Sequence, residues 1–247
     1  MKKLLSLFLL VILALPVTAQ EGDEVGWVGR FGAAGGFSPV YVFPNVNPVN
    51  DLVKQFGISG LSTSGMFTWG GSGYAYIMII DNLRIGGMGI SGSISTTGTS
   101  EGFNKEVDYS YGLGGLTVEY TLPFINRIAV SVGTIIGVGS SSIQFYKNQD
   151  NYIWEGITSP PHLSSRLVYD LNISRKYTNT FFTITPTLNV DIPLNRFIAF
   201  RVGGGYIFSF NNEWKVDNNQ ILRGVPSDLK SNSFFIQTGI YFGLFAF

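Results

Sequence analysis

The 247-residue chain balances 16 Lys and Arg against 16 Asp and Glu, for a formal net charge of zero, and it has no cysteine. The missing cysteine excludes disulfides, thiolate metal sites, a cysteine nucleophile and a lipid-modified terminal cysteine, and the neutral balance argues against nucleic acid as a partner. Charged residues make up only 13% of the chain and aromatics 15%, with 20 Phe, 12 Tyr and 31 Gly, whereas soluble domains carry about 25% charge.

The chain opens with a targeting segment. Lys2 and Lys3 precede an apolar run over 4–17, and Val17-Thr18-Ala19 supplies the small residues of a cleavage site. This pattern predicts a signal peptide over 1–19 and a mature domain over 20–247. No later segment contains about 18 consecutive apolar residues, so no membrane helix is expected.

Beyond residue 20, helical periodicity is confined to 50–56, where Asn50 reads as a cap, Leu52, Val53 and Phe56 are apolar, and Gly57 is a stop. Eight other runs read as strands: 26–37, 66–80, 82–97, 106–121, 127–146, 177–192, 196–210 and 231–247. Short connections at 81–82, 122–126 and 193–195 alternate with longer or polar ones at 38–65, 98–105, 147–176 and 211–230. An antiparallel barrel across a membrane has tight turns at one end and longer loops at the other. Pro123 and Pro193 end incoming strands, because proline cannot donate to the ladder.

Alternation within the runs assigns faces. Over 178–192, Phe182, Ile184, Leu188, Val190 and Ile192 share one parity, while Asn179, Thr183, Thr185, Thr187, Asn189 and Asp191 share the other. A period of two with one apolar and one polar face suits a strand between lipid and lumen. In the fourth run Tyr109, Tyr111 and Leu113 have one parity and Leu116, Val118 and Tyr120 the opposite one. A bulge at Gly114-Gly115 would restore a single face, and Gly86-Gly87 would do the same in the third run. The alternating stretch 166–173 leaves ten strands open beside the expected eight.

The chain ends Tyr241-Phe242-Gly243-Leu244-Phe245-Ala246-Phe247. A terminal Phe247 with Phe245 and Tyr241 behind it resembles the last-strand signal of bacterial outer-membrane barrels. With the signal segment, eight runs and alternating connections, the chain resembles the small barrels of the OmpA, OmpX and OmpW kind. That resemblance implies an all-β, transmembrane, antiparallel up-and-down barrel, to which the run at 50–56 adds one short helix in the first long loop. It also implies residence in the bacterial outer membrane, contact with its lipid, and passage through the barrel-insertion machinery, for which Tyr241, Phe245 and Phe247 would be the signal.

The lumen-facing parity holds Arg30, Arg84, Glu119, Arg127, Asp191 and Arg201. An eight-stranded barrel is just wide enough to be filled by side chains or to hold one small ligand. The charges are therefore expected to form a structural plug of paired ions, with a selective polar path as the alternative. Gly87-Met88-Gly89-Ile90-Ser91-Gly92 matches a dinucleotide fingerprint without the helix that chemistry needs. Gly98-Thr99-Ser100-Glu101-Gly102 matches a nucleophile elbow without the strand-to-helix turn. His162 is the only histidine, which excludes a multi-histidine metal site, and no cofactor is expected.

The expected role is structural or interactive and non-enzymatic, carried by the long loops, whose Tyr152, Trp154 and Trp214 would meet a surface ligand. A narrow conduit or carrier for small or hydrophobic solutes is the alternative. A lipid-modifying enzyme using His162 is the second alternative.

Overall fold

The computed structural model describes residues 31–77, 79–123, 125, 128–149, 172–217 and 219–246. The elements in chain order are β1 (Phe31–Phe37), β2 (Val40–Pro44), α1 (Asn47–Gln55), β3 (Met66–Tyr76), β4 (Leu83–Ser100), β5 (Phe103–Thr121), β6 (Ala129–Asn148), β7 (Ile173–Asn195), β8 (Ile198–Val216), β9 (Gln220–Ile221) and β10 (Ser233–Ala246). The signal segment, Arg30, Arg127, His162, Tyr152 and Trp154 lie outside the described residues.

The strands close into a ring of eight antiparallel members. β1 and β2 count as one, because their register with β10 runs unbroken from Phe37↔Ile240 to Val40↔Gln237 across Ser38-Pro39. β10 also pairs with β8, from Ser233↔Ile207 to Phe242↔Ile198, and this closes the sheet. β9 is a two-residue addition to the end of β8 and not a ring member. Closure leaves no edge within the ring, as a sheet in lipid requires. Among the described residues no helix is long and apolar enough to cross a membrane.

The exterior is apolar where the eight members overlap. Leu116, Val132, Ile136, Val138, Phe182, Ile184, Leu188, Tyr206, Phe208, Ile240, Phe242 and Leu244 are all exposed, a belt far larger than a water-facing surface carries. About 9–11 residues suffice for a strand to cross a membrane, yet β4 to β7 run for 18, 19, 20 and 23 residues. Their upper halves form a wall above the belt, where outward parity carries Ser91, Ser93 and Ser95, then Asp108 and Ser110, Ser140 and Ser142, and Thr178 and Thr180.

Several expectations are corrected. The stretch 98–105 is not a loop: β4 and β5 are joined by the two-residue turn Glu101-Gly102, with φ of 56° and 76°. The left-handed pair suits the right-handed twist of the strands it joins. Gly114-Gly115 and Gly86-Gly87 are not bulges, since the β4–β5 and β5–β6 registers are continuous through them. The parity change in β5 is instead a change in lumen composition, from inward Tyr109, Tyr111 and Leu113 to inward Thr117 and Glu119.

The register shift near the mouth lies between β7 and β8, where Thr180↔Glu213 gives way to Phe182↔Phe210. The extra residue is on β8, at Asn211 with φ 57°. It flips the parity of β8, so that Trp214 points inward and is 5% exposed, not a surface aromatic. α1 begins at Asn47, before the expected 50, with Pro48 in its first turn, and Val46 caps it without a side-chain bond. Asn50 is therefore inside the helix. Residues 40–44, expected in a loop, are strand, and β8 continues through 216.

Candidate functional site: a charged floor beneath an apolar mouth

The lumen has two halves. Near the short-turn end, Arg84 from β4, Glu119 from β5, Asp191 from β7 and Arg201 from β8 converge, each at most 4% exposed. Inward parity aims them at one point, and ring closure brings β4 and β8 across from each other. Arg84 reaches Glu119 Oε2 at 2.8 Å and Asp191 Oδ2 at 2.6 Å. Arg201 grips Asp191 with two donors, Nε to Oδ1 at 2.5 Å and Nη2 to Oδ2 at 2.9 Å, and reaches Glu119 Oε1 at 3.3 Å. Two guanidiniums and two carboxylates sum to zero, which meets the requirement that buried charges be paired. The forked contact of Arg201 is the strongest geometry open to it.

Neighbouring polar and aromatic groups complete this floor. Asn189 Nδ2 donates to Glu119 at 3.0 Å, Gln237 Nε2 donates to Asn189 at 2.5 Å, and Ser131 Oγ accepts from Arg84. The Tyr74 ring lies 4.4 Å from the Arg84 guanidinium and 4.8 Å from that of Arg201, and Tyr241 lies 4.7 Å from Arg201. Tyr241 OH bonds Ser38 Oγ at 3.0 Å and Ser72 Oγ. Tyr241 is thus an interior residue, 1% exposed. Inward parity in β10 was the only signal for that role, and both parities of this strand are rich in apolar residues.

The opposite half is filled with apolar side chains. Val49 and Val53 on the buried face of α1, with Val46 at its cap, pack with Val107, Ile143, Leu61 and Leu229. Each such side chain contributes roughly 1.5–3 kcal/mol over an exposed one. Asn50 holds the return of the chain, accepting from Leu61 N at 2.7 Å and donating to Leu61 O at 3.0 Å. Lys105 Nζ donates to the Phe56 carbonyl at 2.7 Å just past the helix. The connection between β8 and β10 also folds inward. Ser231 Oγ meets Ser141 Oγ and Asn179 Nδ2, each at 3.0 Å, and Trp214 Nε1 donates to Leu229 O at 3.3 Å.

Between these inserts an open cleft of about 1020 Å³ remains at the mouth, walled by Phe56, Ile143, Phe145, Tyr177, Trp214 and Leu222, with Asp51, Arg175, Arg223 and Asp228 among its lining. Among the described residues no group of three or more metal-ligating side chains occurs.

No family model and no curated protein matches this chain. Among solved structures, it is similar to Ail, the attachment invasion locus protein of Yersinia pestis, at 10% identity and a TM-score of 0.40 over 88% of this chain and 99% of that one. It is similar to OprG from Pseudomonas aeruginosa at 15% identity and a TM-score of 0.42, over 91% and 100%. Neisserial surface protein A matches at 9% and 0.42, over 87% and 97%. At such values no ligand or role passes from them to this chain. Its own ring closure, apolar belt and filled lumen make the chain an eight-stranded antiparallel β-barrel with an apolar outer surface.

Proposed function

We propose that the chain is a sealed outer-membrane barrel that acts through its mouth end as an interaction protein. The observation that carries this reading is the filled lumen, with a neutral ion-paired floor under a packed apolar half. A path for ions would have to break several buried pairs at once. The long, structured mouth end, by contrast, presents α1, the connection after β8 and the raised wall of β4 to β7. The reading assigns no catalytic step to the chain.

The direct test is current across a planar bilayer holding the full-length protein. No steps above baseline are expected, and a stable open conductance would overturn the reading. Orientation is tested separately by protease treatment of intact cells. Cuts within 149–172 and 217–232 place the mouth outside, while cuts near 81, 123 or 196 place it inside.

The mouth cleft favours one second reading, a binder of small hydrophobic solutes. Its walls are largely aromatic and aliphatic, and its two Arg and two Asp cancel, so an uncharged apolar molecule suits it. A saturable change in Trp214 fluorescence on adding such a molecule would support this reading, and an unresponsive Trp214 would remove it.

A further inference from the structure

The mouth cleft contains a corner of half-buried aromatic rings. Phe145 on β6 and Tyr177 on β7 both have inward parity and are diagonal neighbours across the ladder that pairs Phe145 with Arg175. Their ring centroids lie 6.0 Å apart with the planes at 85°, so their faces meet at nearly a right angle. Phe56, just past α1, meets Phe145 at 5.4 Å and 86°. All three rings line the cleft of about 1020 Å³, with Trp214 beside them. Aromatic faces carry the negative part of the ring quadrupole and attract cations. Lys105 already uses one, its Nζ lying 5.1 Å from the Phe56 centroid. Among the described residues no cation lies over Phe145, Tyr177 or Trp214.

Four charged side chains stand at the exposed rim of the same cleft: Asp51 on α1, Arg175 on β7, and Arg223 and Asp228 on the connection after β9. Asp51 is 3.8 Å from Lys54. Among the described residues Arg175, Arg223 and Asp228 have no ion partner. Arg175 is directly opposite Phe145, which sets their Cβ atoms about 5 Å apart. Arg223 follows Leu222, whose N–H donates to the Trp214 carbonyl at 2.8 Å. Guanidiniums therefore flank the rings from both walls. They repel a lone cation, and a lone anion gains nothing from ring faces.

We propose that the cleft binds a zwitterion of the phosphocholine kind, its trimethylammonium group in the Phe145–Tyr177 corner and its phosphate against Arg175 and Arg223. Methyl groups cover this cation, so it buries against ring faces without calling for hydrogen-bond acceptors. A primary ammonium has three N–H donors to satisfy, which ring faces serve poorly. Arginine forks match phosphate oxygens. The net charge of the ligand is zero, like that of the cleft lining, and its two charges are separated in the same sense as the rings and the guanidiniums. The cleft is open and larger than this group, which enters it either free or as the head of a lipid. The proposal needs the same open cleft as the hydrophobic-solute reading and goes beyond it by placing both charges.

The test uses the full-length protein in phosphatidylglycerol nanodiscs, titrated calorimetrically with free phosphocholine. Saturable binding is expected. Phosphoethanolamine, which keeps both charges and lacks the methyls, should bind about tenfold more weakly. Phe145→Leu should weaken phosphocholine by a similar factor. Arg175→Gln should weaken phosphocholine severalfold and leave choline alone unchanged or tighter, since it removes a charge that opposes choline. Arg175 is exposed, so its variant keeps the proposal testable even where Phe145→Leu does not fold, and circular dichroism reports on both. Equal binding of phosphoethanolamine, or a folded Arg175→Gln that binds phosphocholine like the parent, overturns the proposal. Binding of hexanol without phosphocholine also overturns it and leaves the hydrophobic-solute reading standing, whereas phosphocholine without hexanol supports it and removes that reading. Capture of phosphatidylcholine vesicles together with free phosphocholine identifies a lipid head as the source, and binding of the free molecule alone identifies a soluble one.

Discussion

Arg84 and Asp191 stand 107 residues apart in the chain and 2.6 Å apart across the lumen, a contact that exists only because the sheet closes on itself. Asp191 is the hub of the floor, receiving donors from both Arg84 and Arg201.

Replacing Asp191 with Asn keeps the shape and removes the charge, leaving two buried guanidiniums to share Glu119. Breaking a buried pair from one side costs about 3–5 kcal/mol. Asp191→Asn is expected to lower unfolding stability in lipid vesicles by that order, measured by urea titration. A stability within about 0.5 kcal/mol of the parent would show that the floor does not hold the barrel together.

Glycines on the two faces are expected to respond oppositely. Gly137 lies opposite Gly115 in the lumen, and a Cβ on Gly137 would meet Gly114 O at 2.2 Å and Gly115 Cα at 2.6 Å. Gly137→Ala should destabilise the barrel by about 1–3 kcal/mol through overpacking. Gly89 faces outward with nothing within 4 Å of an added Cβ, so Gly89→Ala should be neutral or stabilising by up to about 1 kcal/mol. The same titration compares them, and equal effects would contradict the close inward contacts.

Trp214 holds the connection after β8 inside the mouth through packing and its bond to Leu229 O. Trp214→Ala should destabilise by about 3–5 kcal/mol and raise the rate of proteolysis within 217–232. Trp214→Phe retains most of the packing and loses a hydrogen bond of about 1 kcal/mol. Unchanged proteolysis of Trp214→Ala would mean the segment is held by Ser231 and its partners alone.

Asn50 is expected to control the helix in the mouth. Asn50→Leu matches the apolar surroundings but leaves the Leu61 N–H and C=O without their partner, at about 1–3 kcal/mol for each unsatisfied group. Hydrogen exchange should show Leu61 N–H losing protection. Retained protection would indicate that another acceptor takes over.

The sequence by itself determined the eight strand runs, though not their full extent, and the two faces of those that alternate cleanly. Successive residues of a strand point to opposite sides whatever lies next to them, so Phe182 to Ile192 on one parity and Asn179 to Asp191 on the other were legible from spacing alone. Arg84, Glu119, Asp191 and Arg201 were legible as lumen residues for the same reason. Tertiary structure alone decided which of them meet, because partners across a lumen depend on ring closure and on the stagger between strands, which no local pattern encodes. It also decided the parity change in β5. Apolar side chains point into the lumen where α1 and the connection after β8 fill the mouth, and to the exterior below it. A sequence rule with one apolar face per strand turned that change of environment into a bulge. Trp214 went the same way: its inward position follows from one extra residue at Asn211, and its burial from a segment that returns through the mouth to cover it.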